Sequence, residues 1–268
     1  MDATSGEMEK ELAFQSKRAA RIGTVVATPD RIFERYRRSP LPWIFPKEML
    51  FRSLGPIEGK EILDIGCGEG ELSTQLAKLG ARVTGIDISP ELVEVAKQRA
   101  VADQVQDRTT FLVWDILDKP LPKERFDLLT CSEVLHHVDI PAFLPVVWST
   151  VKSGGKAVMI EPLGLSPTMR KLRRYVPVHT DASPGEHPLT RQEFNLILST
   201  LGGARVTYYE LFARLHAFFR RGHRLERVLL VALGRIDRLL LGLFPPLQKY
   251  AGTVVIVAQK GSRTQGRR

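Results

Sequence analysis

The chain has 268 residues, 43% of them hydrophobic, and a formal charge of +9. That suits one α/β domain with additions, or a domain with a small cap. No apolar run approaches the ~20 residues that cross a bilayer as a helix, which excludes a helical membrane span.

The basic balance points to an acidic partner such as an anionic membrane, a nucleic acid or an acidic substrate, with a solvated basic tail as the plain alternative. Cys67 and Cys131 fall in separate regions with no metal-ligand spacing. A disulfide framework is therefore not expected, and a reducing cytoplasm fits. The first residues, Met-Asp-Ala-Thr-Ser-Gly-Glu, lack the basic-then-apolar pattern of a secretory leader. The expected location is cytoplasmic, peripheral to a membrane if the basic charge serves one.

In chain order, residues 1–22 are polar and predict a frayed or helical arm. Pro29-Asp30 opens a short helix carrying Ile32, Phe33 and Tyr36, closed by the proline-punctuated turn Ser39-Pro-Leu-Pro42. Pro46 starts another helix at a permitted first-turn position, and Gly55-Pro56 ends it. Residues 1–55 are expected to form a helical cap. The apolar run Ile62-Leu63 with Asp64 and Ile65 predicts a strand buried on both faces. Gly66, Gly68 and Gly70 follow at alternating positions, and a helix starts near Glu71. Strand, glycine turn and helix make the first unit of a nucleotide-binding α/β fold, with backbone N–H groups facing the ligand.

Arg82–Asp87 predicts the second strand, ending on an acid 23 positions after Asp64. At that distance a carboxylate can accept ribose hydroxyls; the alternative is a turn aspartate capping the helix that Ser89 and Pro90 begin. Phe111–Asp115 predicts a third strand ending in an acid, and Phe126–Cys131 a fourth. A helix is expected over Pro141–Val151, then a Ser-Gly-Gly turn and a fifth strand, Lys156–Pro162. Strands alternating with helices imply a parallel, doubly wound sheet. Thr190 with Glu193 three residues on reads as a capping box.

The GxGxG spacing and the acid two residues before the first glycine depart from a dinucleotide fingerprint. The motif Asp-Ile-Gly-Cys-Gly-Glu-Gly (64–70), with the acids at 87 and 115 and the Ser-Gly-Gly-Lys turn (153–156), closely resembles class I S-adenosylmethionine-dependent methyltransferases, in particular quinone-pathway members of the "type 11" group. The likeness is close over residues 58–162; beyond it the strands near 204–211 and 252–259 resemble the family's terminal antiparallel pair. The resemblance implies a mostly parallel, seven-stranded Rossmann-like sheet spanning 56–260, with the helical cap before it, a helical insertion over 212–248 before the last strand, and a disordered tail over 261–268. It implies S-adenosyl-L-methionine as cofactor, held by Asp64, Gly66, Cys67, Gly68, Gly70, Asp87, Ile88, Asp115, Ile116 and Ser132. Asp115 would accept from the adenine amino group and Ile116 would flank the ring. The family's N-terminal segment folds over the cofactor mouth, where Phe33 and Tyr36 either line it or pack as ordinary helix residues.

A hydroxyl or activated carbon nucleophile usually needs a base. His136 and His137, in the segment after strand four, are the first candidates because imidazole titrates near neutrality; His179 and His187, in the long basic stretch 163–190, are the others. Glu133-Val-Leu-His136-His137 is similar to the Glu-x-x-Glu-His of metal-dependent relatives, but a histidine replaces the second glutamate, and no metal is expected.

Residues 211–250 hold eight basic and two acidic residues, a net +6 of the chain's +9. At about 100° per residue Arg220, Arg224, Arg227, Arg235 and Arg238 share a stripe, with Leu225, Leu229, Leu233, Ile236 and Leu240 opposite. Such a helix either lies in an anionic membrane surface or docks its leucines on the domain and leaves its arginines solvated. The expected reaction is methyl transfer to a small, hydrophobic or lipid-like acceptor on oxygen or carbon. The alternatives are a nucleic-acid methyltransferase, for which no Asp/Asn-Pro-Pro-Tyr/Phe motif follows strand four, and a non-catalytic S-adenosylmethionine-binding module.

Overall fold

The computed structural model describes residues 3–167, 187–218 and 224–261. His179, the basic residues of 168–186, Arg220 and the tail 262–268 lie outside the described residues.

Three helices, α1 (Ala3–Arg21), α2 (Asp30–Arg38) and α3 (Pro46–Leu54), precede the alternating core. The core runs β1 (Glu61–Ile65), α4 (Glu71–Lys78), β2 (Arg82–Asp87), α5 (Pro90–Ala102), β3 (Thr109–Val113), β4 (Phe126–Ser132), α6 (Ile140–Ser149) and β5 (Val151–Pro162). Then come α7 (Arg191–Thr200), β6 (Ala204–Tyr209), α8 (Arg224–Leu243) and β7 (Thr253–Gln259). The seven strands form one sheet in the order β3-β2-β1-β4-β5-β7-β6. β1 to β5 pair in parallel, and β7 lies antiparallel to both neighbours. The order reverses between β1 and β4, so the carboxyl ends of these strands bound a crevice suited to a ligand.

Strand alternation assigns the residues to two layers. Leu63, Leu129, Ala157, Met159, Val254 and Ile256 face α6 and α7 in one apolar cluster. Their neighbours Ile62, Leu128, Val158 and Val255 face α3, α4 and α5 in the other. β5 starts at Val151, five residues earlier than the Ser-Gly-Gly turn suggested, because Val151 already pairs with Phe126 before the strand irregularity.

The helices before β1 are built into the fold more than laid over it. Met49, Leu50, Phe51 and Leu54 of α3 are buried against the sheet with Tyr209 and Val255, and the Tyr209 hydroxyl donates to the Pro42 carbonyl at 2.6 Å. Leu50 is fully buried, so truncation to alanine there would cost on the order of 2–5 kcal/mol. Phe33 lies under the Lys78 ammonium at 4.1 Å, and Tyr36 stacks on Phe51 with ring centres 4.2 Å apart. Both aromatics pack within the fold. Buried Glu48 accepts from the Leu41 amide at 2.6 Å and pairs with Arg35, which holds the proline turn in place.

Candidate active site

The glycine turn joins β1 to α4, and all three glycines have left-handed backbone: φ 64° at Gly66, 51° at Gly68 and 76° at Gly70. Their surroundings differ. A Cβ on Gly66 would stand 2.3 Å from Val134 Cγ2, and one on Gly70 would stand 2.7 Å from Ala96 Cβ. A Cβ on Gly68 would meet nothing within 4 Å. The outer glycines admit close packing from the β4 loop and from α5, while the middle one has open space beside it.

Asp87 closes the turn from the end of β2. Its carboxylate accepts from the Gly68 amide at 2.8 Å and from the Ser89 amide at 2.9 Å. Burial pushes its pKa above the ordinary carboxylate value. Ser89 also caps α5 by accepting from the Leu92 amide at 3.3 Å, so the capping role belongs to the serine. Arg99 of α5 grips the turn from the other side: its guanidinium donates to the Glu69 carbonyl at 2.9 Å and to the Glu69 carboxylate at 2.5 Å. Nothing local in the sequence marked Arg99 for this, 30 positions from its partner.

Several residues expected at the ligand are buried. Asp64 is 2% exposed, and its two oxygens accept from Ser73 Oγ at 2.5 Å and Thr130 Oγ1 at 2.7 Å. Burial, opposed by these two hydroxyls, pushes its pKa up from 3.8 to about 6. Asp64 thus supports the turn from below and is not presented to the crevice. Ile116 is 3% exposed and belongs to the core cluster that holds Leu63 and Ile65. Cys67 is buried against β2; its amide extends the ladder to the Ile86 carbonyl at 3.0 Å, and burial raises its thiol pKa. Ile88 and Asp115 are half-buried, and Asp115 accepts from the Leu117 amide at 2.8 Å, closing its own turn. At the end of β4 the Ser132 hydroxyl is buried with no partner among the described residues.

The segment after β4 turns sharply. Glu133 has φ 59°, and Leu135–His137 form a single 3₁₀ turn. Glu161, a fully buried acid in β5, organises it. One oxygen accepts from the Val134 and Leu135 amides at 3.1 and 2.9 Å, and the other lies 2.8 Å from His136 Nδ1. His136 is therefore a buried, paired histidine and not an open base. His137 is exposed, its ring tilted over that of His136 with centroids 4.1 Å apart. Glu161 was missed from sequence; the one trace was an acid inside an otherwise apolar strand. His187 is exposed beyond β5, with Nε2 4.0 Å from Glu193 Oε1, and Glu193 completes the capping box with Thr190. A cavity of about 640 Å³ opens beyond β5, walled by Leu165–Pro167, Thr190–Gln192 and Lys249–Tyr250 and by none of the glycine-turn or post-β4 residues. Among the described residues no three His, Cys, Asp or Glu side chains come together as a metal site.

A doubly wound sheet with a glycine turn after β1, an acid ending β2 and an antiparallel last strand is a nucleotide-binding α/β architecture. The family model described as "Methyltransferase domain" matches residues 63–159. That match covers a little over a third of the chain, from β1 into β5. Among curated proteins it is similar to the mitochondrial ubiquinone biosynthesis O-methyltransferase of Schizosaccharomyces pombe, 44% identical over 112 residues, which are 41% of this chain and 40% of that protein. The chain thus spans about two fifths of the length of the curated relatives it matches. Among solved structures it is similar to the geranyl diphosphate C-methyltransferase of Streptomyces coelicolor A3(2) in complex with Mg2+, geranyl diphosphate and S-adenosyl-L-homocysteine. That likeness has TM-score 0.57 and 18% identity over 80% of this chain and 77% of the other. It is also similar to the cyclase SpnF, with TM-score 0.57 and 14% identity over 96% and 95%. At these identities the structural likeness establishes the fold.

Proposed function

We propose that the protein transfers a methyl group from S-adenosyl-L-methionine to a hydroxyl of a small, hydrophobic or lipid-like acceptor. The observation that carries this reading is the turn at Gly68, which has open space beside it and is bonded through its amide to Asp87. Three features suit an adenosyl sulfonium with an amino-acid tail: the open face over Gly68, the Asp87 carboxylate at its edge, and the unpartnered Ser132 hydroxyl. Asp87 would take the ribose hydroxyls with charge-assisted bonds. Asp115 would accept from the adenine amino group, Ile88 would border the ring, and the backbone of 66–70 with Ser132 would face the tail. Asp64 acts one layer down by holding the turn. When bound, the cofactor supplies a methyl group already activated on sulfur.

The chain's own work is then alignment, exclusion of water and one proton transfer. His137 is the base in this reading: its imidazole takes the acceptor hydroxyl proton as the oxygen bonds the incoming methyl. His136 and Glu161 are positioning residues that fix the turn bearing it. The acceptor assignment rests on the ubiquinone-biosynthesis activity for which the curated relatives are named and on the apolar character of the insertion. No Asp/Asn-Pro-Pro-Tyr/Phe motif follows β4, which weighs against a nucleic-acid base as acceptor. The test incubates the protein with methyl-labelled S-adenosylmethionine and a cell extract and separates organic, aqueous, nucleic-acid and protein fractions. Label in the organic phase is expected. Label confined to nucleic acid, or no label despite cofactor binding, would overturn the reading.

A further inference from the structure

α8 is inserted between the end of β6 and the start of β7, two points at the same end of the sheet as the glycine turn and the His136-His137 segment. Its rotation is set by one residue. Asp237 is buried, and its carboxylate accepts from the amides of Leu211, Phe212 and Ala213 at 2.9, 2.8 and 2.9 Å. Gly234 lies on the same side, so close to the turn before α3 that a Cβ would meet Ile44 Cγ2 at 2.5 Å, and Leu241 is buried there too. The helix therefore docks through 234, 237 and 241, neither through its arginines nor squarely through its leucines.

At about 100° per residue, Val228 and Leu239 project from the side opposite Asp237, with Leu243 and Ile236 beside them. Their exposures are 65%, 61%, 64% and 47%, and Phe244 at the helix end is 53% exposed. Arg227, Arg235 and Arg238 are exposed along one flank of this strip. Arg238 lies over the Trp43 ring at 4.4 Å, which places a half-open indole at the same edge. An outward apolar strip with a basic border and an aromatic rim is the pattern of a helix lying in the lipid headgroup plane. Arg227, Arg235, Asp237 and Arg238 rule out a spanning role, and no helix among the described residues is long and apolar enough to cross a membrane.

We propose that α8 seats the protein on an anionic lipid surface through Val228, Ile236, Leu239, Leu243 and Phe244, with Arg227 and Arg235 against the headgroups. The insertion grows from the sheet end that bears the crevice, so the crevice mouth would sit near the lipid. This deepens the acceptor reading above, yet its test needs neither cofactor nor acceptor, so a failure here leaves methyl transfer standing.

The experiment is sedimentation of the full chain with vesicles of mixed phosphatidylglycerol and phosphatidylcholine, against phosphatidylcholine alone. The wild-type chain is expected to partition at least about tenfold more strongly onto the anionic vesicles, and the binding is expected to weaken as salt rises. Leu239→Asp with Leu243→Asp should lower anionic binding at least about tenfold. Arg227→Gln with Arg235→Gln should lower it severalfold and flatten the salt response. All four positions are exposed, so the variants should melt like wild type. Wild-type protein left in the supernatant with every vesicle would overturn the proposal, as would unchanged binding of the double aspartate variant. A wild-type dimer in sedimentation velocity that this variant converts to monomer would assign the strip to a second copy and equally overturn it.

Discussion

Replacing Asp64 with asparagine tests whether the buried acid under the glycine turn carries charge at a cost. Asp64 keeps its proton up to about pH 6 in the fold, against 3.8 for the ordinary side chain. Each tenfold change in proton affinity is about 1.4 kcal/mol, so ionised Asp64 costs the native state ~3 kcal/mol. The sign follows from proton binding: the folded state holds this proton more tightly than the unfolded chain. Its contribution is fully present below the unfolded value and is lost as pH rises through about 6. About 2 kcal/mol of that loss falls between pH 4.5 and 7.5. Asp64→Asn has nearly the same shape and can still meet the Ser73 and Thr130 hydroxyls, but it has no charge to bury. Urea midpoints of both proteins across this range should diverge, the variant gaining on wild type by about 2 kcal/mol as pH rises. Parallel profiles would mean that the carboxyl titrates alike folded and unfolded, and the account of a desolvated acid beneath the turn would be wrong.

Asp87→Ala should weaken S-adenosylmethionine binding at least about tenfold by calorimetry; unchanged affinity removes the ribose role. Gly68→Val should still fold, since its side chain meets open space, at a cost of ~1–2 kcal/mol for left-handed backbone. It should lose cofactor affinity, and normal binding would show that the ligand lies elsewhere. His137→Ala should lower turnover about 10²-fold or more with little change in melting temperature. Glu161→Ala should instead destabilise the fold by roughly 3–5 kcal/mol, since it leaves buried His136 and two amides without their acceptor. Equal melting of the Glu161 variant and wild type would contradict the pairing described.

The parts of the fold readable in advance were those decided within a few residues. The apolar run at Ile62-Leu63, the positive φ of Gly66, Gly68 and Gly70, the Ser89-Pro90 helix start and the Thr190–Glu193 box are all local matters. What escaped was set by distant partners. Asp64 sits where a ligand-facing acid was expected, but Thr130, 66 positions away, claims one of its oxygens. His136 and His137 are adjacent and chemically identical; only Glu161, 25 positions on, separates the buried one from the exposed one. Periodicity set arginines and leucines on two faces of this helix but could not tell which surface would meet the domain. That choice fell to Asp237, a charged residue that a hydrophobicity pattern assigns to solvent.

α8 is fixed to the scaffold by the Asp237 carboxylate on three consecutive amides, by Gly234 against Ile44 and by buried Leu241, all on one side of the helix. The family match ends at residue 159, and the helix hangs beyond it, joined to the scaffold at the exit of β6 and the entry of β7. A lineage can lengthen, shorten or recolour such an appendage without renegotiating the nucleotide half of the sheet. The outer surface of the helix and the glycine-turn half of the sheet can then vary independently, with Asp237 keeping the orientation of one to the other.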